Sequence, residues 1–266
     1  MDTIQHSGEA AGGMDSRLPT RVNLFNITHH WSPTLIVGCS HAKYADPAAI
    51  DAVLRFRDRF RPTIVAHLGD FCDLSAFMRS NVKTGDGDEV DPDIDGGIAF
   101  LKQLRPTIVL AGNHEDRLWR LQNDQNNIVS SLAHRCVVDI QKAVNDLGAV
   151  FVPYAGHYQQ YKLGNFKLMH GTIFSENACR DEAETHGNCV CAHTHRTGVS
   201  PGRRDDHPKC FNVGTLTRRA AFEYSKTRRS ELSWSQGFVY GYTSDTRCQF
   251  WLHEQDRNST DWVLPI

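Results

Sequence analysis

The segment PTIVAHLGD, residues 62–70, decides how this sequence folds. It opens on Pro-Thr, passes through a short β-branched and apolar run, and ends in Gly-Asp. Such a run bounded by turn residues reads as a buried strand. Proline at a strand's first position forfeits no ladder hydrogen bond. The same pattern stands at PTLIVGCSH (33–41) and PTIVLAGNH (106–114). The intervals differ, so this is not a solenoid repeat. It is one task done three times, a central strand delivering polar groups at its C-terminal end. Between the first two lies DPAAIDAVLRFRDRF (46–60), with Ile50, Val53, Leu54 and Phe56 near helical spacing. Asp46 supplies an N-cap and Pro47 a first helical turn. Strand, helix, strand in this length is a βαβ unit with parallel pairing. In open α/β sheets, ligands bind outside the carboxyl ends of the strands.

Further strands are expected at AVFV (149–152), FKLM (166–169) and CVCA (189–192). Ile98, Leu101 and Leu104 fit a helix ending before Pro106, and Leu118 and Leu121 mark another. Residues 126–134 and 139–147 read as two more helices. GFVYGYT (237–243) and RCQFWLH (247–253) alternate around Ser244-Asp245, as an antiparallel hairpin does. Residues 1–21 are small, polar and aperiodic, a disordered tail, which leaves 22–266 as one domain.

Composition excludes several classes. Apolar residues make up 40% of the 266 and charged residues 23%, which is not collagen-like, disordered or coiled-coil. With 29 basic and 31 acidic residues the net charge is −2, so bulk charge points to no polyanionic or membrane partner. No apolar run approaches a membrane span, and the N-terminus has no apolar h-region. A cytoplasmic, reducing setting is expected, with most of the eight cysteines as small buried hydrophobes. Histidine is abundant, 14 residues, and it is the commonest metal ligand.

The polar residues at the strand ends carry the chemistry. The first strand offers Cys39 and His41, the second Asp70 followed by Asp73, the third Asn113 and His114. The strand at 166–169 delivers His170, and the strand at 189–192 delivers His193 and His195. Imidazole, carboxylate and amide oxygen on one rim make a divalent-metal site, with ligands enough for two ions. Singly these motifs are weak, since Gly-Asp after a strand is often a turn. Together, each following an apolar strand, they converge.

GDFCD (69–73), GNHE (112–115), HG (170–171) and AHTH (192–195) resemble, in order, the motifs of the calcineurin-like metallophosphoesterase superfamily. The resemblance spans roughly residues 34–195, with the sheets completed by 209–254. It implies a four-layer α/β/β/α sandwich of two mixed β-sheets flanked by helices, with a dinuclear centre at the sheet edge. By resemblance, Asp70 bridges both metals, His41 and His195 bind the first, and Asn113, His170 and His193 bind the second. His114 is the general acid beside the scissile phosphate, and Asp73 orients a ligand from behind. Ala192 stands where the family has glycine. A hydroxide shared by the two ions would attack phosphorus in line.

The family's first motif is D-x-H, and this chain has Cys39 in place of the Asp. Three readings are open. Cys39 is a thiolate ligand, biasing the pair of ions toward Zn or Fe at that site and admitting Mn elsewhere. Or Cys39 does not bind, leaving an effectively mononuclear centre. Or the protein is a decayed, non-catalytic metal- and phosphate-binding module. The leading expectation is a phosphodiesterase. A small-molecule or nucleotide phosphomonoesterase is the alternative. The compact form is similar to members encoded by bacteria and their phages.

Residues 196–229 hold nine Lys/Arg against three Asp/Glu, net +6, including Arg203, Arg204, Arg218, Arg219, Arg228 and Arg229. They read either as a solvated surface or a patch repaid by salt bridges, or as a track for a DNA or RNA backbone. Nothing in the sequence indicates an oligomeric state. GDGDEVDPDIDGG (85–97) mimics half an EF-hand, but Lys102 stands where the bidentate Glu belongs, so a solvated acidic loop and helix N-cap are expected. Arg117 is either a phosphate contact or half of a helical salt bridge. Cys189 and Cys191 are expected on opposite sides of their strand and so not as a pair.

Overall fold

Each of the three Pro-Thr segments becomes a strand of one sheet. In a computed structural model the described residues are 31–77, 89–154, 160–218, 222, 233–259 and 261–265. The tail read at 1–21 lies outside them. Strands β1 (Ser32–Val37), β2 (Ile64–His67) and β3 (Ile108–Leu110) run parallel, and β4 (Val150–Val152) continues beside β3. Helix α1 (Pro47–Phe60) makes the first crossover, with the Asp46 carboxylate accepting from Ala48 N at 2.9 Å as the N-cap. Helix α2 (Val90–Leu104) makes the second. Both helices end on an arginine in the left-handed region, Arg61 and Arg105, followed by proline.

Helix α3 (Asn113–Leu121) starts directly from the third strand's Gly-Asn-His. Helix α4 (Asn127–Asp146) is continuous where the sequence suggested two pieces. Cys136, Val137 and Ile140 carry the buried face of Ala133 on to Ala143 and Val144, and no Gly or Pro interrupts it.

The second sheet is built from β5 (Tyr161–Leu163), β6 (Phe166–Leu168), β7 (Cys189–Cys191), β8 (Thr197–Pro201) and β9 (Lys209–Val213). Its order is β5-β6-β7-β9-β8, with helix α5 (Ala178–His186) crossing from β6 to its parallel neighbour β7. The expected hairpin forms as β10 (Gly237–Thr243) and β11 (Cys248–Glu254). It adds to the first sheet, in the order β11-β10-β1-β2-β3-β4, with β10 antiparallel to β1.

The two sheets pack face to face. Ile36, Leu68, Ile108 and Leu110 of the first meet Leu168, Val190, Phe211 and Val213 of the second. Helices α1 to α4 cover the first sheet's outer face through Val53, Phe56, Phe100, Leu104, Ile140 and their neighbours. Helix α5 covers the second sheet's outer face through Ala183. The result is the expected α/β/β/α layering. Strands β1, β2, β3, β6 and β7 end on the same rim, and the loops leaving them carry the polar motifs. No helix among the described residues is long and apolar enough to cross a membrane.

Candidate metal centre

The chain leaves its strands abruptly at this rim. Cys39, His41, Asp70, His193 and His195 all have positive φ, between 49° and 64°. Left-handed backbone costs a non-glycine residue about 1–2 kcal/mol. Such strain collects where the surroundings over-determine it. Here hydrogen bonds do so: Cys39 N donates to Gly69 O at 3.0 Å and His41 N to Asp70 O at 2.9 Å. Leu216 N and Thr215 Oγ1 both donate to Cys39 O, at 3.0 and 2.8 Å. The sharp turns aim side chains of loops far apart in sequence at one point.

Three overlapping donor groups meet there: one is formed by His41, Asp73 and His114, and the other two share Asp70. Cys39 Sγ, one ring nitrogen each of His41 and His195, and a carboxylate oxygen of Asp70 lie within 4.8 Å of one another. Asp70, His170 and His193 form a second such group. Asn113 joins it, its Oδ1 being 3.0 Å from His170 Nε2 and 2.9 Å from His193 Nδ1. Asp70 belongs to both groups, with Oδ2 3.7 Å from His41 Nε2 and 3.2 Å from His170 Nε2.

These donors fit a cation. His170 Nδ1 is 2.7 Å from Leu68 O and so carries the proton, which leaves a lone pair on Nε2. That lone pair faces Asn113 Oδ1 and Asp70 Oδ2, both acceptors, with His193 Nδ1 3.2 Å away. His41 Nε2 and His195 Nε2 confront each other at 3.0 Å in the same way, while His41 Nδ1 is turned to Asp73 Oδ1 at 3.2 Å. Converging buried lone pairs repel unless positive charge sits among them.

The electrostatics separate the histidines. Burial drives His41, His193 and His195 below the ordinary imidazole range, His193 to about 3. They are neutral ligands-in-waiting. Burial acts the same way on His114, but the charges of Asp70 and then the Asp73 hydrogen bond outweigh it and raise the imidazole. Asp70 likewise raises His170 against its burial. Burial, then the Asp70 charge, pushes the Cys39 thiol up, while His193 N donates to its sulfur at 3.3 Å. A cation in this group supplies the opposite sign and favours the thiolate.

His114 is buried beside the two groups that share Asp70. Its amide donates to Asp70 Oδ1 at 3.0 Å, its Nε2 is 3.9 Å from Asp70 Oδ2, and its Nδ1 bonds Asp73 O. Gly112 is required beside it, because a Cβ there would lie 2.1 Å from Asp70 Oδ1. The alanine at 192 is tolerated because it faces Gly38, where an added Cβ would lie 2.9 Å from the Ala192 methyl.

The sequence model of the calcineurin-like phosphoesterase family matches residues 32–207. The chain belongs to this family. Similar solved structures include an archaeal phosphodiesterase, 15% identical, covering 83% of this chain and 99% of that one, with a TM-score of 0.42. A metallophosphoesterase from Sphaerobacter thermophilus is 15% identical, with 84% and 88% covered and a TM-score of 0.42. Vacuolar Protein Sorting 29 from Cryptosporidium parvum is 13% identical, with 85% and 99% covered and a TM-score of 0.40. No curated protein matches the chain.

Several features of this calcineurin-like phosphoesterase centre differ from the sequence reading. The acidic stretch holds the expected helix start, with Glu89 as N-cap of α2, but where it is described it is no solvated loop, because Asp93 is buried. The Asp93 carboxylate accepts from the amides of Asp73 and Leu74 and so holds the turn after Asp70. Arg117 makes no helical salt bridge among the described residues; its guanidinium donates to the carbonyls of Asp73 and Leu74. Glu115 was given no role. It is fully buried and accepts from Gly112 N, Asp70 N and Cys72 N at 2.7, 2.8 and 2.9 Å, bracing two motif loops together. Its only local signal is an acidic residue three positions after Gly112, a capping pattern.

The described arginines of the basic segment are held by the protein. Arg203 pairs with Glu184, Arg204 with Asp206, Arg196 bonds Ser175 O and Arg218 bonds Lys43 O. Arg219, Arg228 and Arg229 lie outside the described residues. Cys189 and Cys191 share a face, because positions two apart on a strand point the same way. Both pack outward with Ala183 and Cys210, while Val190 between them points into the inter-sheet core.

Proposed function

We propose that this chain is a metal-dependent phosphodiesterase. Cys39, His41, Asp70 and His195 would hold one divalent ion, and Asp70, Asn113, His170 and His193 a second. The observation that carries the reading is the single carboxylate of Asp70 shared between two donor groups, with the His114 imidazole at their edge. Bound there, two divalent ions supply an activated water and neutralise phosphoryl oxygens. The protein's own part is positioning and proton delivery. Asp70 is fixed by His114 N, and Asp73 fixes the rings of His41 and His114. His114, whose imidazole Asp70 and Asp73 raise against its burial, would give its proton to the leaving oxygen.

The diester preference rests on the rim. Phe174 is 74% exposed, and its ring centroid lies 4.5 Å from that of His193. Tyr154 flanks His170 from another side, at 5.9 Å. A diester has a second organic group to place, and an exposed ring beside the centre offers a stacking surface for a nucleobase. DNA or RNA is therefore the proposed substrate class, with the arginines of 196–229 as its backbone contacts. The eight free thiols favour a cytoplasmic site of action.

Aryl phosphomonoesters and phosphodiesters assayed with added Mn, Zn, Fe or Mg test the reading, together with elemental analysis of protein purified without added metal. Diester turnover and two ions, Zn or Fe among them, are expected. Preference for the monoester would favour the phosphomonoesterase. No turnover with any metal, while phosphate still binds, would leave a binding module.

A further inference from the structure

Two charged side chains hold the turn Asp73-Leu74 from opposite chemical sides. Both turn residues are buried, and Leu74 sits in the left-handed region at φ 55°. A leucine persists there only where its surroundings over-determine it. Asp93, in the first turn of α2 and 3% exposed, takes the two amides. Its Oδ1 accepts from Asp73 N at 3.0 Å and its Oδ2 from Leu74 N. Arg117 takes the two carbonyls, with Nη1 donating to Asp73 O at 3.0 Å and to Leu74 O at 3.2 Å. Every backbone polar group of the turn is therefore bonded to a charge, the stronger class of hydrogen bond.

The Asp73 carbonyl held in this way is the one that His114 Nδ1 bonds. A carbonyl only accepts, so Nδ1 carries a proton whether the ring is charged or neutral. Nε2 is then the atom that can deliver a proton, and it lies 3.9 Å from Asp70 Oδ2, on the side of the shared carboxylate. Arg117 stands three positions after His114 on α3. Ring and guanidinium thus reach one carbonyl from the same helix face. The His41 ring meets the Asp73 carboxylate instead, at 3.2 Å, and His41 N is tied separately to Asp70 O.

We propose that Asp93 and Arg117 are positioning residues for proton delivery. Together they fix the Asp73 carbonyl, and through it the tautomer and the angle of the His114 ring. Neither side chain has to meet substrate or metal to set the rate. The inference rests on His114 being the acid of the proposed reaction.

The test uses the full chain with saturating metal and two phosphodiesters, one with an alkyl leaving group and one with nitrophenolate. Arg117→Met keeps an apolar stem and removes both donors. Asp93→Asn keeps the shape but offers one acceptor oxygen where two amides need partners. Each should lower kcat on the alkyl ester by up to about 10²-fold, the scale of a misplaced catalytic group. The loss should be smaller with nitrophenolate, which needs little protonation. KM and ion content, the latter by elemental analysis, should stay at the wild-type values. Arg117→Lys, which keeps a cationic donor, should recover most of what Arg117→Met loses. In a His114→Ala background neither substitution should lower the rate further. Equal losses on both esters, losses that persist without His114, loss of an ion, or Lys no better than Met would each overturn the inference while leaving His114 as the acid. If His114→Ala itself spares the alkyl ester, the acid role falls and the inference falls with it. Arg117 is only partly buried, so its series decides the matter even where Asp93→Asn fails to fold.

Discussion

The two halves of the metal centre share Asp70 and differ in almost everything else. The half made by Cys39, His41 and His195 is buried, with side chains at 0–5% exposure. Phe222 and Trp234 close over it, their rings 5.0 Å from His41 and 4.4 Å from His195. The half made by Asn113, His170 and His193 lies nearer solvent, and the exposed Phe174 ring rests on His193. One half has a sulfur donor and the other an amide oxygen. The difference teaches a division of labour. A deep, softer group would retain its ion and set which element binds. A more open, harder group would meet substrate and exchange more readily.

The largest expected effect comes from removing what the halves share. Asp70→Ala deletes the common donor and leaves opposed imidazoles with no charge between them. Both ions should be lost, and turnover should fall by at least roughly 10³-fold, beyond the 10–100-fold typical of an outer-shell partner. Elemental analysis of the purified variant checks this. Retention of one ion would show that one half stands alone. His114→Ala tests the opposite case, a residue outside the two groups that share Asp70. Metal content should stay as in the wild type while kcat falls by about 10²- to 10⁴-fold. The loss should shrink with a nitrophenolate leaving group, which needs little protonation, and an equal loss for alkyl and aryl esters would remove His114 from the acid role.

The strand ends were legible because Pro-Thr and Gly punctuate each strand, so the polar residues after Gly38, Gly69 and Gly112 had to share a rim. The braces behind them were not. Glu115 reaches the Asp70 amide across 45 positions and Asp93 reaches the Asp73 amide across 20, and no local pattern marks a carboxylate bonded to a distant backbone. The ion-pair partners of the basic segment were hidden for the same reason. Counting charge along the chain cannot see Glu184 beside Arg203. The Cys189 and Cys191 error was of another kind, since the period of two was available in the sequence and gives one shared face.

Cys39→Asp narrows the difference between the halves. It restores a hard oxygen donor to the buried group and should shift its preference from Zn or Fe toward Mn or Mg. The open half keeps its ligands, so total ion content should hold at the wild-type value under saturating metal. Competition between Zn and Mn, read by elemental analysis, reports the shift. Unchanged content and unchanged preference would show that Cys39 is not a ligand, and that the deep half relies on His41, Asp70 and His195.

The smallest effect belongs to the open rim. Phe174→Ala removes a ring that touches His193 but bonds no donor, so ion content and His114 chemistry stay in place. A stacked base is worth about 1 kcal/mol at the low end, or roughly five-fold in affinity. The kcat/KM ratio between a nucleoside nitrophenyl phosphodiester and its methyl counterpart should therefore drop about five-fold, mainly through KM. Both esters share one leaving group and one reacting centre, so a change in the ratio isolates the organic group that the ring meets. If the variant slows both esters equally, Phe174 acts through His193 and the open half does not read the substrate's base. Tryptophan at the same position separates these cases further. A larger ring should raise the ratio if it stacks on substrate and lower both rates if it only crowds His193.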